Sequence, residues 1–378
     1  MRGDVRGDVS RSGNRRGRFG RIAGALVIAA VGATAAGGVW LWHDWRTPYG
    51  DFPKAGVFVE IQRGSSRAAI TELLAASGVI RSRASFRLLG MRYSGEKLRA
   101  GEYLFDHPRT PEEILRMLAE GRVYLHALTV PEGYTMMDIA QIVARERLAT
   151  RDAFLAAARD PEAIHDLAPE ARTLEGFLFP DTYKFPRGTP PQKIAEAMVR
   201  RFRQVWGALP ARSASTDDPN ALGIVTMASL VERETAVAEE RPRVASVFYN
   251  RLKSGVALDC DPTVIYALRL EDKYNGALSS GDLRFDSPYN TYHHRGLPPG
   301  PIGNPGLESL RAALEPEKTD YFYFVADAEG HHIFSRTLAE HNRNVAKYRK
   351  KLAAIAREGE RAEGRVTKRS SGANQPLP

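Results

Sequence analysis

The sequence predicts an α+β protein: one long apolar helix near the N-terminus, then a body in which short strands alternate with amphipathic helices. Three observations carry this. Residues 22–42 run 21 positions without a charge. A strand, a glycine turn and a capped helix occur twice in the first half of the body. From Pro190 onward apolar residues recur at helical spacing until a strand pair near residue 330. At 378 residues, 43% hydrophobic and 26% charged, the chain has the length for one large and one small domain.

The first element is IAGALVIAAVGATAAGGVWLW, Ile22 to Trp42, whose one polar side chain is Thr34; it matches the ~20 residues that cross ~30 Å of hydrocarbon. Residues 1–21 hold seven Arg against two Asp and would stay cytoplasmic under the positive-inside rule, with Trp40, Trp42 and Trp45 at the far interface. A cleaved signal peptide is the competing reading. Its apolar core is ordinarily about 7–15 residues, so length favours an uncleaved anchor with the body outside the cytoplasm. The net charge of +9 is concentrated in this tail and in the polar segment 356–378, which is expected to be disordered. The body is closer to neutral, which argues against a nucleic-acid partner. Cys260 is the single cysteine, so an intrachain disulfide and a cysteine-based zinc site are both excluded.

Residues 43–56 read as a Pro/Gly linker into VFVEI, an alternating strand. Gly64, Ser65 and Ser66 supply turn and cap chemistry for a helix carrying Ile70, Leu73 and Leu74 and stopped by Gly78. TPEEILRMLAEG repeats the logic, with Thr110 and Glu113 as a capping box, Pro111 in the first turn and Gly121 at the end. Gly64, Ile70, Leu73 and Phe86 correspond to Gly133, Ile139, Ile142 and Phe154, the first three at a constant offset of 69. Two copies are too few for a solenoid; a duplicated small α/β unit is one reading and shared local patterning the other. Later, Ile194, Met198, Phe202 and Val205 form one helical stripe and Val244, Val247, Phe248 and Leu252 another. YFYFVADAEGHHIFS predicts a hairpin turning at Asp327 to Gly330, followed by a helix from about Thr337 to Ile355.

The segment from Ala221 to Val231 carries no charge, with apolar groups on every side, so it predicts a buried helix capped by Asp217, Asp218 or Asn220. Its last turn must reach solvent, and it ends in Glu232, Arg233 and Glu234. A carboxyl held there among packed side chains is disposed to keep its proton, as a general acid must. Glu232 continues the face of Val225, Ala228 and Ser229, whereas Glu234 lies about 160° further round. The two cannot share a pocket if the helix continues. The ordinary alternative is a solvated charge paired with Arg233 or Arg243.

EGFLFPDTYKF (175–185), ASLVERETAVAEERPRVASVFYNRL (228–252), DPTVIYAL (261–268), SPYNTYHHRGLPPGPIGNPG (287–306) and YFYFVADAEGHHIFSRTLAEHN (321–342) together resemble the endolytic murein transglycosylase family (MltG/YceG-like). The resemblance implies a single-span inner-membrane protein: a basic cytoplasmic tail at 1–21, the transmembrane helix at 22–42, the linker at 43–56, a small LysM-like subdomain at 57–125, and a mixed α/β lytic transglycosylase domain at 126–355 facing the periplasm. It places Glu232 on the catalytic glutamate of the family's ExE motif, with Glu234 as a second acid. The implied reaction cuts the MurNAc-GlcNAc β-1,4 bond of nascent peptidoglycan strands without water, leaving 1,6-anhydroMurNAc ends. The implied partners are peptidoglycan glycan strands, the inner membrane and the peptidoglycan synthases of elongation or division. No cofactor is implied.

Glu175, Asp181, Tyr183, Thr263, Tyr289, Asn290 and Tyr292 are the candidates for substrate contact, each with turn capping or packing as its alternative. Asp259 and Cys260 stand where the family commonly carries Gln and a small polar residue. The histidines His293, His294, His331, His332 and His341 lack the spacing of zinc-ligand pairs, so no metal is expected. A non-catalytic cell-wall glycan-binding or scaffolding protein is the runner-up.

Overall fold

The computed structural model describes residues 13–93, 95–209, 221–327 and 329–352. Two compact units divide the chain, the first through Leu125 and the second from His126 onward.

In the first unit, helix α1 (Gly13–Arg46) contains, from Arg21 to Arg46, a stretch long and apolar enough to cross a membrane, with mean hydropathy 2.0. The predicted linker therefore starts later than residue 43. The helix persists because its last turn belongs to the protein core: the Ser85 hydroxyl donates to the buried Asp44 carboxylate, and the Trp45 indole N–H donates to Ser85 O at 3.2 Å. Trp45, expected beside Trp40 and Trp42 at a membrane interface, packs against protein instead.

Strand β1 (Val57–Ile61), helices α2 (Arg67–Ala76) and α3 (Arg83–Arg92), strand β2 (Gly101–Phe105) and helix α4 (Pro111–Glu120) complete this unit. β1 and β2 pair antiparallel with Val59 opposite Tyr103, and the alternation buries Val59, Ile61, Tyr103 and Phe105 against Ile70, Leu74, Phe86 and Leu118. Ser66 caps α2, and the Thr110 and Glu113 capping box opens α4.

The second unit begins with the same order: β3 (His126–Thr129), α5 (Met136–Arg145), α6 (Arg151–Ala158) and β4 (Thr182–Phe185), with Leu128 opposite Tyr183 in an antiparallel pair. Gly64 and Gly133 hold φ of +83° and +73°, and Phe86 and Phe154 are both buried. The sequence offset of 69 thus marks two β-α-α-β units rather than coincidental patterning.

The rest of the second unit is helical: α7 (Pro191–Gly207), α8 (Ala221–Glu234), α9 (Arg241–Lys253), α10 (Asp261–Leu270) and α11 (Leu307–Leu314), then the hairpin β5 (Tyr323–Ala326) and β6 (His332–Ser335). A further helix runs from 338 to 352. The predicted caps Asp217, Asp218 and Asn220 and the tail 356–378 lie outside the described residues.

α8 is the axis of this unit. Val225, Met227, Ala228, Leu230 and Val231 have no exposed surface, and α9, α10 and α11 pack around them. Burial of the Val225, Met227, Leu230 and Val231 side chains contributes about 1.5–3 kcal/mol each. Ser229 is buried without penalty because its hydroxyl donates to Thr226 O at 2.7 Å and accepts from Ile302 N at 3.0 Å. That second bond seats the Gly/Pro-rich loop 296–306 on α8 and brings Gly306 to the helix end.

Candidate active site

α8 remains helical through Glu234, so each step of about 100° sends Glu232, Arg233 and Glu234 in three directions. The Glu232 carboxylate turns inward, its side chain 6% exposed. Arg241 Nη2 donates to Oε1 at 2.9 Å, and the Gly306 amide donates to Oε2 at 2.9 Å. A Cβ at Gly306 would lie 1.8 Å from Glu132 Oε1, so a larger residue there would have to displace the half-exposed Glu132 side chain. Glu132, half exposed, stands 3.7 Å from the same guanidinium. Glu232 is thus held by an ion pair and an amide, where the sequence suggested an acid in apolar surroundings facing a cleft.

Glu234 meets a different setting. It lines a groove of about 290 Å³ with Asp259, Cys260, Asp261, Tyr292 and Tyr323. Burial raises its carboxyl to about 6, with nearby Asp261 adding to the effect, while the Cys260 thiol, His332 and Arg251 oppose it. The Cys260 Sγ–H donates to Glu234 Oε2 at 3.6 Å. Cys260 is itself fixed: its amide donates to Thr291 Oγ1 at 3.0 Å, and its carbonyl accepts from Thr263 Oγ1 at 2.6 Å. On the opposite wall the Tyr292 hydroxyl donates to Asp261 Oδ1 at 2.6 Å.

A thiol is a weaker donor than a hydroxyl. Cys260→Ser is therefore expected to stabilise the Glu234 carboxylate and to lower the pH at which it titrates by about half a unit, as one neutral hydrogen bond of under 1 kcal/mol would. An NMR titration of the carboxyl in both proteins measures this directly.

Asp259, the other departure from the family pattern, adopts φ +50° and pairs with Arg251 Nη1 at 2.9 Å. Arg251 also donates to Phe322 O, Ala257 O and Leu258 O, so it ties the groove's rim to the β5–β6 hairpin. His331 and His332, from the same hairpin, both turn their Nδ1 atoms to buried Glu240, at 3.2 and 2.7 Å.

Among the candidates for substrate contact, Tyr292 alone shares the groove with Glu234. Thr263, in the first turn of α10, and Asn290 are wholly buried; Asn290 Nδ2 donates to Leu283 O and Phe285 O. Asp181 closes its own turn through Thr182 N and pairs with Arg201 at 2.7 Å. The Tyr183 hydroxyl donates to Phe179 O at 2.6 Å.

Glu175 and Tyr289 line a separate cavity of about 400 Å³ near the start of α8, with Tyr266. Glu175 is 2% exposed and accepts from Met136 N, Tyr266 Oη and Asn304 Nδ2. Burial outweighs those three donors and pushes its carboxyl up to about 8. Because the folded value is above the ordinary one, the stability it contributes is full below about pH 4.5 and is lost as pH rises through about 8. Glu175→Gln is expected to flatten the fall in Tm between about pH 4.5 and 8, measured by calorimetry.

Asp261, Arg251 and Tyr323 were not singled out from sequence, since no spacing rule joins α8 to residues 17 to 89 positions later. A protonatable carboxyl in a half-buried groove walled by tyrosines and a second carboxylate is the equipment of a protein that acts on glycosidic bonds. The particular family follows from comparison: the chain belongs to the YceG-like family, whose model matches residues 59–347. It is 36% identical over 312 residues to the endolytic murein transglycosylase of Bacillus subtilis (strain 168), covering 78% of this chain and 85% of that one. The endolytic murein transglycosylase of Streptococcus pneumoniae serotype 2 (strain D39 / NCTC 7466) is 30% identical over 362 residues, and the match spans 85% of this chain but 64% of that one. A crystal structure of a yceG-like protein from Listeria monocytogenes superposes with TM-score 0.51 at 35% identity, covering 77% of this chain and 99% of that one.

Proposed function

We propose that the chain is an endolytic murein transglycosylase and that Glu234, rather than Glu232, is its acid and base. The observation that carries the assignment is the contrast between neighbours: one carboxyl opens into a groove and is raised to about 6 by burial, the other has both oxygens engaged by Arg241 and Gly306. Protonated Glu234 donates to the glycosidic oxygen as the bond to muramic acid C1 breaks. The resulting carboxylate then accepts the proton of the C6 hydroxyl as its oxygen bonds to C1. The proton count closes and water is not consumed, so one carboxyl serves both steps. Exclusion of water by the groove favours the ring closure over hydrolysis.

The first unit's β-α-α-β core supports a LysM-like role in holding glycan. The apolar helix supports a single-span anchor in the inner membrane, with the basic residues 1–21 on the cytoplasmic side, the β-α-α-β part of the first unit and the whole second unit in the periplasm, and synthases working nearby as partners.

The test is product analysis on purified sacculi. Wild type should release internal fragments ending in 1,6-anhydroMurNAc, and Glu234→Gln should bind sacculi without releasing them. Reducing ends that carry water-derived oxygen would refute the non-hydrolytic step, and pelleting without any cleavage by wild type would leave the binding-only reading.

A further inference from the structure

On the third side of the last turn of α8 lies a polar groove of about 490 Å³ where three arginines converge from three helices: Arg145 of α5, Arg233 of α8 and Arg269 of α10, beside Tyr134 and Gln141. The one acid lining it, Asp138, is fully engaged. Although burial opposes ionisation, Arg269 and the Thr135 cap hold its carboxyl below the usual range, with Arg269 Nη1 at 3.1 Å, Thr135 N at 3.0 Å and Thr135 Oγ1 at 2.7 Å. Asp138 therefore neutralises Arg269 and nothing more. Arg145 uses only its Nε, on Glu146 at 3.2 Å, from a side chain 72% exposed. Arg233 reaches Gly133 O at 3.5 Å and has no carboxylate partner among the described residues. The Arg233 guanidinium consequently lines the groove with no carboxylate to offset it among the described residues, while Arg145, paired with Glu146 through its Nε, still presents its two terminal nitrogens; the planar fork of each suits a carboxylate.

We propose that this groove binds the carboxylates of the short peptides that murein strands carry on their muramic acid lactyl groups; the inference rests on the murein-cleaving reading. Reach decides in its favour. Arg233 and Glu234 are adjacent on one turn, so the two grooves are separated by roughly the 10–12 Å width of a helix with its side chains. An extended five-residue peptide spans up to ~17 Å. A sugar seated beside Glu234 can therefore lay its peptide round the end of α8 onto the arginines. The cavity holding Glu175 does not compete, because Leu222 lines it, twelve residues and about 18 Å down the same helix.

The experiment compares kcat/KM of the full-length protein on peptide-bearing glycan strands and on the same strands stripped by an amidase. Wild type is expected to prefer the peptide-bearing strands by about tenfold, the effect of one good charge-assisted contact. Arg145→Gln and Arg145→Gln/Arg233→Gln should bring that ratio progressively toward one; the exposed Arg145 makes the single variant safe for folding. A wild-type ratio of about one, or a ratio unchanged in both variants, overturns the inference. The underlying reading fails separately, if Glu234→Gln still cleaves either substrate.

Discussion

Glu234→Gln is expected to lower kcat/KM on glycan strands by about 10²–10⁴-fold, the usual share of general acid–base catalysis, while the protein remains folded. The amide matches the acid in shape and cannot deliver a proton. Wild-type kcat/KM should itself fall tenfold per pH unit above about 6, where burial leaves the acid half ionised. The stability that Glu234 contributes should fall over the same range. The folded carboxyl is raised from 4.5 to about 6, so its favourable contribution is complete below pH 4.5 and is lost as pH rises through 6. At pH 7.5 the wild type then carries a charged, half-buried carboxylate at a cost of about 1–2 kcal/mol that glutamine does not share. Calorimetry at pH 7.5 should accordingly find the inactive variant at least as stable as wild type. An active Glu234→Gln protein would remove the acid from its assigned place.

The sequence revealed much of the fold because the relevant forces act within a few residues. The Thr110 and Glu113 box, the Ser66 cap and the burial of α8 all follow from local hydrogen bonding and periodicity. Even the divergence of Glu232 and Glu234 follows from helical angles. Which of them opens to solvent does not, because that depends on Arg241 nine residues later and Gly306 more than seventy later. The polar candidates show a second limit. Asn290 and Asp181 lie in segments that read as turns, and turn residues are polar either to meet a ligand or to satisfy their own backbone. Here the second requirement claims Asn290 outright, and Thr263, in the first turn of α10, spends its hydroxyl on Cys260 O. Trp45 shows the same limit: an indole at the end of an apolar helix suits a membrane interface, and only the position of Ser85, forty residues on, reveals that it packs against protein.

Arg241→Met should be the most destabilising single change at the site. It leaves Glu232, with a side chain 6% exposed, beside Glu132 and with Gly306 N as its one remaining bonded partner. Breaking a buried pair from one side costs about 3–5 kcal/mol, or roughly 6–20 °C in Tm for a unit of this size. Glu232→Gln should cost less, about 1–3 kcal/mol, because the amide oxygen can still accept from Gly306 and Arg241 can swing toward Glu132. The double variant Arg241→Met/Glu232→Gln should recover much of the loss, since an uncharged replacement of the whole pair removes the stranded charge; the Nε of Arg241, buried without a partner among the described residues, adds to that gain. A double-mutant cycle by chemical denaturation reads the coupling. Activity measured well below each Tm then separates the two glutamates: Glu232→Gln should keep turnover within about tenfold of wild type, because what it loosens is the anchor of α8 and not the proton donor. A Glu232→Gln protein with unchanged Tm and no turnover would reverse the assignment, making the paired carboxyl the acid and the groove carboxyl its neighbour.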